Sequence, residues 1–329
     1  MYNGHRVIDV HGHMSAPAQF NAQAFAIQTG SPATRNGRRF SLPEGPMQKS
    51  QEDHIRVLDE RNIDVQLISP RPFGMMHWER PKQVALWTTA TNDAIHQACQ
   101  MYPERLFGIG QLPQHTSIST ANCLDEFDRC VHDLGFVGAI VNPDPGGERL
   151  TPGMEEDYWF PLYEKACELD ATLVVHGSCS RDPRTTDNQF GFLMEETMAT
   201  HRLERSDVFE RYPALRVIVV HCGGALSRFV TGNLSASPLP GDKLPDGLYF
   251  DTCAYDADYL RVAFKQRGLE RFAFGTEAPG SGYVTNPDTG RPSDDLLPLF
   301  DTMAEVTAAQ KRLLYYDNPK KLFPLLPVA

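Results

Sequence analysis

Eight short apolar runs of strand length, interleaved with segments of helical periodicity, constrain this chain more than any other feature. They are RVIDVH (6–11), VQLISP (65–70), LFGIGQLP (106–113), FVGAIVNP (136–143), ATLVVHG (171–177), LRVIVVHCGG (215–224), LYFDTCAY (248–255) and RFAFGTEAP (271–279). Each is rich in β-branched or aromatic residues and ends at Gly, Pro or a polar residue, the pattern of parallel strands buried on both faces. Helical periodicity fills stretches between them, for example 50–62, 84–102 and 117–135. Eight strand–helix units can close a sheet edge to edge and leave no unpaired strand, so the pattern predicts an α/β fold, a (β/α)8 TIM barrel. An open doubly wound sheet is the rival. A barrel of this kind accommodates all 329 residues as one domain, 1–329. Segments 14–47 and 278–293 lie outside the repeat and read as insertions after strands 1 and 8. Both follow strand ends where loops commonly shape an active site, so both are expected to enclose substrate.

His11 and His13 flank Gly12 at the end of the first run. Side chains two residues apart on a strand point to the same side, so both imidazoles can meet one ion. An HxH pair alone is equally compatible with two polar residues satisfied by hydrogen bonds. His176 ends the fifth run and His221 the sixth, however, and a barrel brings all four histidines to one rim. The eighth run adds Glu277 there. Beside a divalent cation this carboxylate stays ionised and can serve as ligand or as general base.

Composition narrows the function further. A formal charge of -11, from 42 acidic and 31 basic residues without a Lys/Arg run, argues against nucleic acid as a partner. No run approaches the ~20 apolar residues of a spanning helix, so no membrane association is expected. The N-terminus, MYNGHRVIDVHGH, has no signal-like pattern, and the expected location is cytoplasmic. Seven scattered cysteines form neither a CxxC pair nor a disulfide framework.

The ordered markers VIDVHGH, VVHGS, VVHCGG, FGTEAP and a C-terminal DNPKKLFP resemble the amidohydrolase superfamily, in its ACMSD-like branch of decarboxylases and hydratases. Most members carry Asp where this chain has Glu277. That departure, with ISPRP (68–72), GFVGAIVNPDPGG (135–147), HGSCS (176–180), FDTCAY (250–255) and FGTEAPG (274–280), resembles the branch's 4-oxalomesaconate hydratases. The resemblance implies a metal-dependent lyase that adds water to a conjugated C=C of an unsaturated keto tricarboxylic acid in aromatic-acid catabolism. The alternatives are non-oxidative decarboxylation of an aromatic or dienoic acid, or hydrolysis. It also implies a homo-oligomer.

Imidazole-rich ligation by His11, His13 and His176, with Glu277, favours a single Zn2+, although Mn2+, Co2+ or Fe2+ also suit such donors. Glu277 is expected to activate water and His221 to act in catalysis. By resemblance to the hydratases, the Cys179 thiol delivers the proton to carbon. A small anionic carboxylic-acid substrate in so acidic a protein needs local donors. Arg71 after strand two, Asn142 after strand four, Tyr255 after strand seven and Arg291 in the last insertion are the candidates.

Overall fold

All eight apolar runs contain strands, and they pair in parallel in chain order. The computed structural model describes residues 1–2, 4–29, 40–178, 180–181, 188–225, 244–280 and 282–328. The strands are β1 Ile8–His13, β2 Val65–Ser69, β3 Leu106–Gln111, β4 Gly138–Val141, β5 Thr172–Val175, β6 Val217–Val219, β7 Leu248–Asp251 and β8 Phe272–Ala273. They form one eight-stranded sheet in the order β1 to β8. The Val10 amide donates to Phe274 O (2.8 Å) and the Glu277 amide to His11 O (2.7 Å), so the last strand meets the first and the sheet curls into the predicted (β/α)8 barrel.

Around it lie α1 Ala18–Thr29, α2 Glu44–Glu60, α3 Pro81–Met101, α4 Leu124–His132, α5 Phe160–Glu168, α6 Asn188–Leu203 and α7 Val208–Arg211. They are followed by α8 Ala257–Arg267, α9 Leu296–Thr302, α10 Ala308–Arg312 and α11 Asn318–Leu322. Alternation along each strand builds two apolar layers. Val65, Leu67, Ile109, Ile140, Val174, Ile218 and Tyr249 pack in one cluster with the C-terminal Leu322, Phe323 and Leu326. Their strand neighbours Ile68, Ala139, Val141, Leu173, Val175, Val217, Val219 and Phe250 pack instead with helix residues such as Leu58, Ile95, Phe127 and Leu260. Burial of each large aliphatic side chain contributes about 1.5–3 kcal/mol.

Three local features differ from the sequence expectation. Segment 14–47 contains α1, whose Phe20, Ala24 and Ile27 sit at helical spacing and pack with Trp87 of α3. The run at 215–224 yields only three strand residues because the backbone turns left-handed from His221 onward. The far end of the 278–293 insertion is tied down beside α2, where Arg61 pairs with the following Asp294 at 3.0 Å and Arg291 with Asp295 at 2.7 Å, while Asn286 Nδ2 donates to Tyr255 O at 3.0 Å. No helix among the described residues is long and apolar enough to cross a membrane.

Candidate metal and catalytic site

The β1 strand ends with both imidazoles turned to one centre because Gly12 leaves room for a neighbour. A Cβ on Gly12 would lie 2.2 Å from Gln66 Cδ. Gln66 is itself fixed, donating to Asp9 Oδ2 (2.7 Å) and Ala278 O (2.6 Å) while accepting from His54 Nε2 (2.8 Å). Glycine is required again at Gly275, where a Cβ would come within 2.9 Å of the Cβ atoms of both Asp251 and His11. Strand eight therefore passes close enough to bring Glu277 beside the histidines.

Hydrogen bonds at the far side of each ring set the tautomers of His11, His13 and His176. His11 Nδ1 donates to Asp251 Oδ2 at 2.6 Å, and His176 Nδ1 to Gly177 O at 2.7 Å. Ser69 Oγ donates to Gly12 O (3.1 Å), so it accepts from His13 Nδ1 at 2.9 Å. Each ring thus turns its Nε2 away from these bonds, and all three Nε2 atoms are buried without a hydrogen-bond partner. Ring centroids are 5.1–5.3 Å apart pairwise. Three desolvated, unpartnered nitrogens on adjacent rings suit a divalent cation, since a buried acceptor left unpaired is costly.

Glu277 and His221 complete the cluster. One ligand atom from each of His11, His176, His221 and Glu277 lies within 4.8 Å of the others, and His13 Nε2 adjoins them 3.5 Å from Glu277 Oε1. Both Glu277 (φ 61°) and His221 (φ 50°) have left-handed backbone, which costs about 1–2 kcal/mol per residue and concentrates at functional positions. Tyr255 donates its hydroxyl to Glu277 Oε2 at 3.0 Å, and Cys253 Sγ lies 3.2 Å from that hydroxyl. His221 Nε2 sits 3.7 Å from the same carboxylate oxygen.

Charges follow from this packing. Burial, against the pull of Glu277, lowers the His13 pKa to about 4. Burial and then the neighbouring His221, His11 and His13 hold His176 well below the ordinary range, so both rings favour the neutral form a ligand needs. His11 runs the other way: burial opposes its charge, but the bond to Asp251 raises it well above normal, so a cation binding there displaces a proton. Burial would raise Glu277, yet the adjacent His13 and His221 rings hold it well below the usual carboxylate range. It is an anion ready to ligate or to accept a proton.

The substrate candidates divide. Arg71 sits partly buried beside this carboxylate loop, donating from Nη2 to Pro279 O at 3.2 Å, and no carboxylate among the described residues pairs with it. Asn142 is buried at the end of β4, its amide 3.5 Å from His77 Nδ1, and His77 Nε2 donates to Leu112 O at 3.0 Å. Tyr255 is engaged with Glu277. Arg291 is held elsewhere, bonded to Asp295 and donating to Glu60 O (3.1 Å) at the end of α2. Cys179 lies outside the described residues. Two carboxylates escaped the sequence reading. Asp251 accepts from His11 and also from the amides of Cys222 (2.9 Å) and Cys253 (3.1 Å). Glu196 of α6 accepts from the Gly177 amide and from His221 Nδ1, both at 2.9 Å. The only sequence signal for Glu196 is a Glu-Glu pair inside a partly apolar helix, which does not say which member faces inward.

The amidohydrolase family model matches residues 8–325, nearly the whole chain. The chain belongs to the amidohydrolase family. Among its family relatives, the 2-keto-4-carboxy-3-hexenedioate hydratase of Sphingobium sp. is 28% identical over 333 residues, covering 97% of this chain and 96% of that one. The crystal structure of 4-oxalomesaconate hydratase from Rhodopseudomonas palustris superposes with a TM-score of 0.82 at 25% identity, covering 97% and 96% of the two chains. A γ-resorcylate decarboxylase of Polaromonas sp. is 29% identical over 191 residues, 54% of this chain and 56% of that one. A dihydroxybenzoic acid decarboxylase structure from Polaromonas sp., solved with manganese and an inhibitor, shares the fold at a TM-score of 0.70 and 19% identity. These family relatives are lyases, and this amidohydrolase is an enzyme of the metal-dependent lyase class.

Proposed function

We propose that this amidohydrolase is a hydro-lyase that adds water across the conjugated C=C of an unsaturated keto tricarboxylic acid of the 4-oxalomesaconate kind, in the cytoplasm. The observation that carries the proposal is Glu277, an anchored anion against three unpartnered imidazole nitrogens, in a chain similar over its full length to two hydratases. Similarity to the γ-resorcylate decarboxylases, over about half the chain, supports decarboxylation as the second reading.

His11, His13 and His176, with Glu277 at their side, would hold the cation, and nitrogen-rich donors favour Zn2+, with Mn2+ the alternative. Such an ion supplies Lewis acidity, the means of making water nucleophilic near neutral pH. Glu277, kept ionised by its neighbours and oriented by Tyr255, accepts one proton of the attacking water. The oxygen bonds to the alkene carbon β to the ketone, the π electrons move toward the keto oxygen, and a proton is delivered to the α carbon. His221 lies close enough to Glu277 to pass protons, and Cys179 is the proposed acid toward carbon. Arg71, with a guanidinium unpaired to any described carboxylate, would bind a substrate carboxylate in fork geometry. Asn142 would donate a further hydrogen bond.

The test is turnover of 4-oxalomesaconate beside a panel of hydroxybenzoic acids, following loss of enone absorbance and release of CO2 in parallel. Hydration of the keto acid without CO2 supports the proposal; CO2 release from an aromatic acid with an inert keto acid overturns it.

A further inference from the structure

Beside the histidine cluster, the turn that follows β6 is braced by side chains from two helices and a strand. His221, Cys222, Gly223 and Gly224 have φ of 50°, 56°, 77° and 74°, four consecutive left-handed residues. Its three successive carbonyls are each gripped by a side chain: Cys222 O by Arg267 Nη1 (2.5 Å), Gly223 O by Thr200 Oγ1 (3.0 Å) and Gly224 O by Tyr259 Oη (2.5 Å). Thr197 accepts from the Ala225 amide at 2.7 Å, and Asp251 from that of Cys222 at 2.9 Å. Glu196, Thr197 and Thr200 lie on one side of α6, which therefore supplies both the backbone brace and the partner of the His221 ring.

We propose that Glu196 is a positioning residue for His221. It holds the ring with Nδ1 as donor and Nε2 turned toward Glu277, so that His221 is set as a proton carrier to that carboxylate. The geometry is specific. Two donors, the Gly177 amide and His221 Nδ1, meet a fully buried carboxylate, and each of its oxygens takes one of them at 2.9 Å. Glu196 Oε1 is also 3.5 Å from His176 Nδ1, but that nitrogen already donates to Gly177 O at 2.7 Å, so His221 is the ring that depends on Glu196. Glu196 thereby fixes which nitrogen of the His221 ring faces Glu277, beside a cluster in which His11, His176, His221 and Glu277 each offer an atom within 4.8 Å of the others. The inference rests on the hydratase reading for its kinetic consequence and on geometry alone for the orientation.

Glu196→Gln offers one acceptor oxygen to two donors. In the Zn2+-loaded enzyme the expected result is a fall in hydration kcat of about 100-fold, with KM and Zn2+ affinity each within about threefold of wild type. The His221 Nδ1–H signal, assigned in 15N-histidine spectra against His221→Asn, should be lost or displaced. A kcat within threefold of wild type, an unchanged His221 signal, or a loss of Zn2+ affinity in step with activity would each overturn the proposal, the last by assigning Glu196 to His176. Glu196→Asp, which keeps both oxygens on a shorter arm, should recover part of kcat and serves where the Gln variant does not fold. If wild type proves inactive on 4-oxalomesaconate, the spectra and Zn2+ titrations still read the orientation, so the two failures are separable.

Discussion

Replacing Asp251 by Asn isolates the support of one ligand from the ligands themselves. Asp251 is fully buried and accepts three hydrogen bonds: Oδ2 takes His11 Nδ1–H at 2.6 Å, and Oδ1 takes the amides of Cys222 and Cys253 at 2.9 and 3.1 Å. Asparagine keeps an oxygen for the two amides, but its NH2 then faces His11 Nδ1–H, donor against donor. His11 can relieve this only by moving its proton to Nε2, the atom aimed at the cation site, or by turning away. Loss of such a carboxylate support typically weakens a metal site 10–100-fold, which is about 1.4–2.8 kcal/mol. We expect the upper end, because both partners are buried and no solvent can relay the bond. Zn2+ affinity is to be measured by competition with a chromophoric chelator on metal-free wild type and variant, with far-UV circular dichroism establishing that both are folded. An Asp251→Asn protein that is folded and binds Zn2+ within threefold of wild type refutes the tautomer assignment of His11 and its place as a ligand.

Other consequences are open to direct measurement. Gly12→Ala forces a Cβ against Gln66, whose three side-chain bonds are buried; breaking that set should cost about 3 kcal/mol or more and lower Tm by ~6 °C or more, whereas an unchanged Tm would contradict the packing. Burial lowers the His54 pKa to about 4, against ~6.5 unfolded. The unfolded chain therefore takes up a proton that the folded chain refuses, and this contribution to stability is complete above pH 6.5 and is lost as pH falls toward 4. Near pH 5 it amounts to about 1 kcal/mol per pH unit; urea titrations across pH 4.5–7 should show a shallower dependence in His54→Gln, and equal slopes would count against it. Removal of the cation with a chelator should lower Tm, and Zn2+ at 100 times its Kd should restore about 2.7 kcal/mol; a melting curve indifferent to chelation and to added Zn2+ would argue against the site.

Strand positions were legible because burial on both faces of a parallel strand writes a continuous apolar run; seven of the eight runs contain their strand whole, and β1 continues two residues past its run to His13. Strand ends were not, since they depend on contacts between distant segments: β8 stops after two residues where Gly275 slides past Asp251 and His11, and β6 stops where the left-handed turn begins. Helix α1 was missed because its apolar stripe is short. The histidines and Glu277 announced themselves by ending strands, a position that fixes their rim. Glu196 and Asp251 could not, because a helix glutamate and a strand-end aspartate gain meaning only from the atoms across the barrel. Arg291 was proposed because its insertion follows strand eight at the rim, yet Asp295 and the helix-end carbonyl of Glu60 take its guanidinium.

The barrel's closing joint lies between its first and last strands, and the cluster straddles it: His11 and His13 come from one edge, Glu277 from the other. Backbone bonding across that joint is thin, supplemented by Asp9, which accepts from the Thr276 amide and hydroxyl while Gln66 braces it from β2. A cation gripped from both edges would act as a clasp on the ring of strands. His11 and Glu277 come together only when the head and tail of the chain have met, so a cation held by both would bind the closed barrel in preference to a partly folded chain.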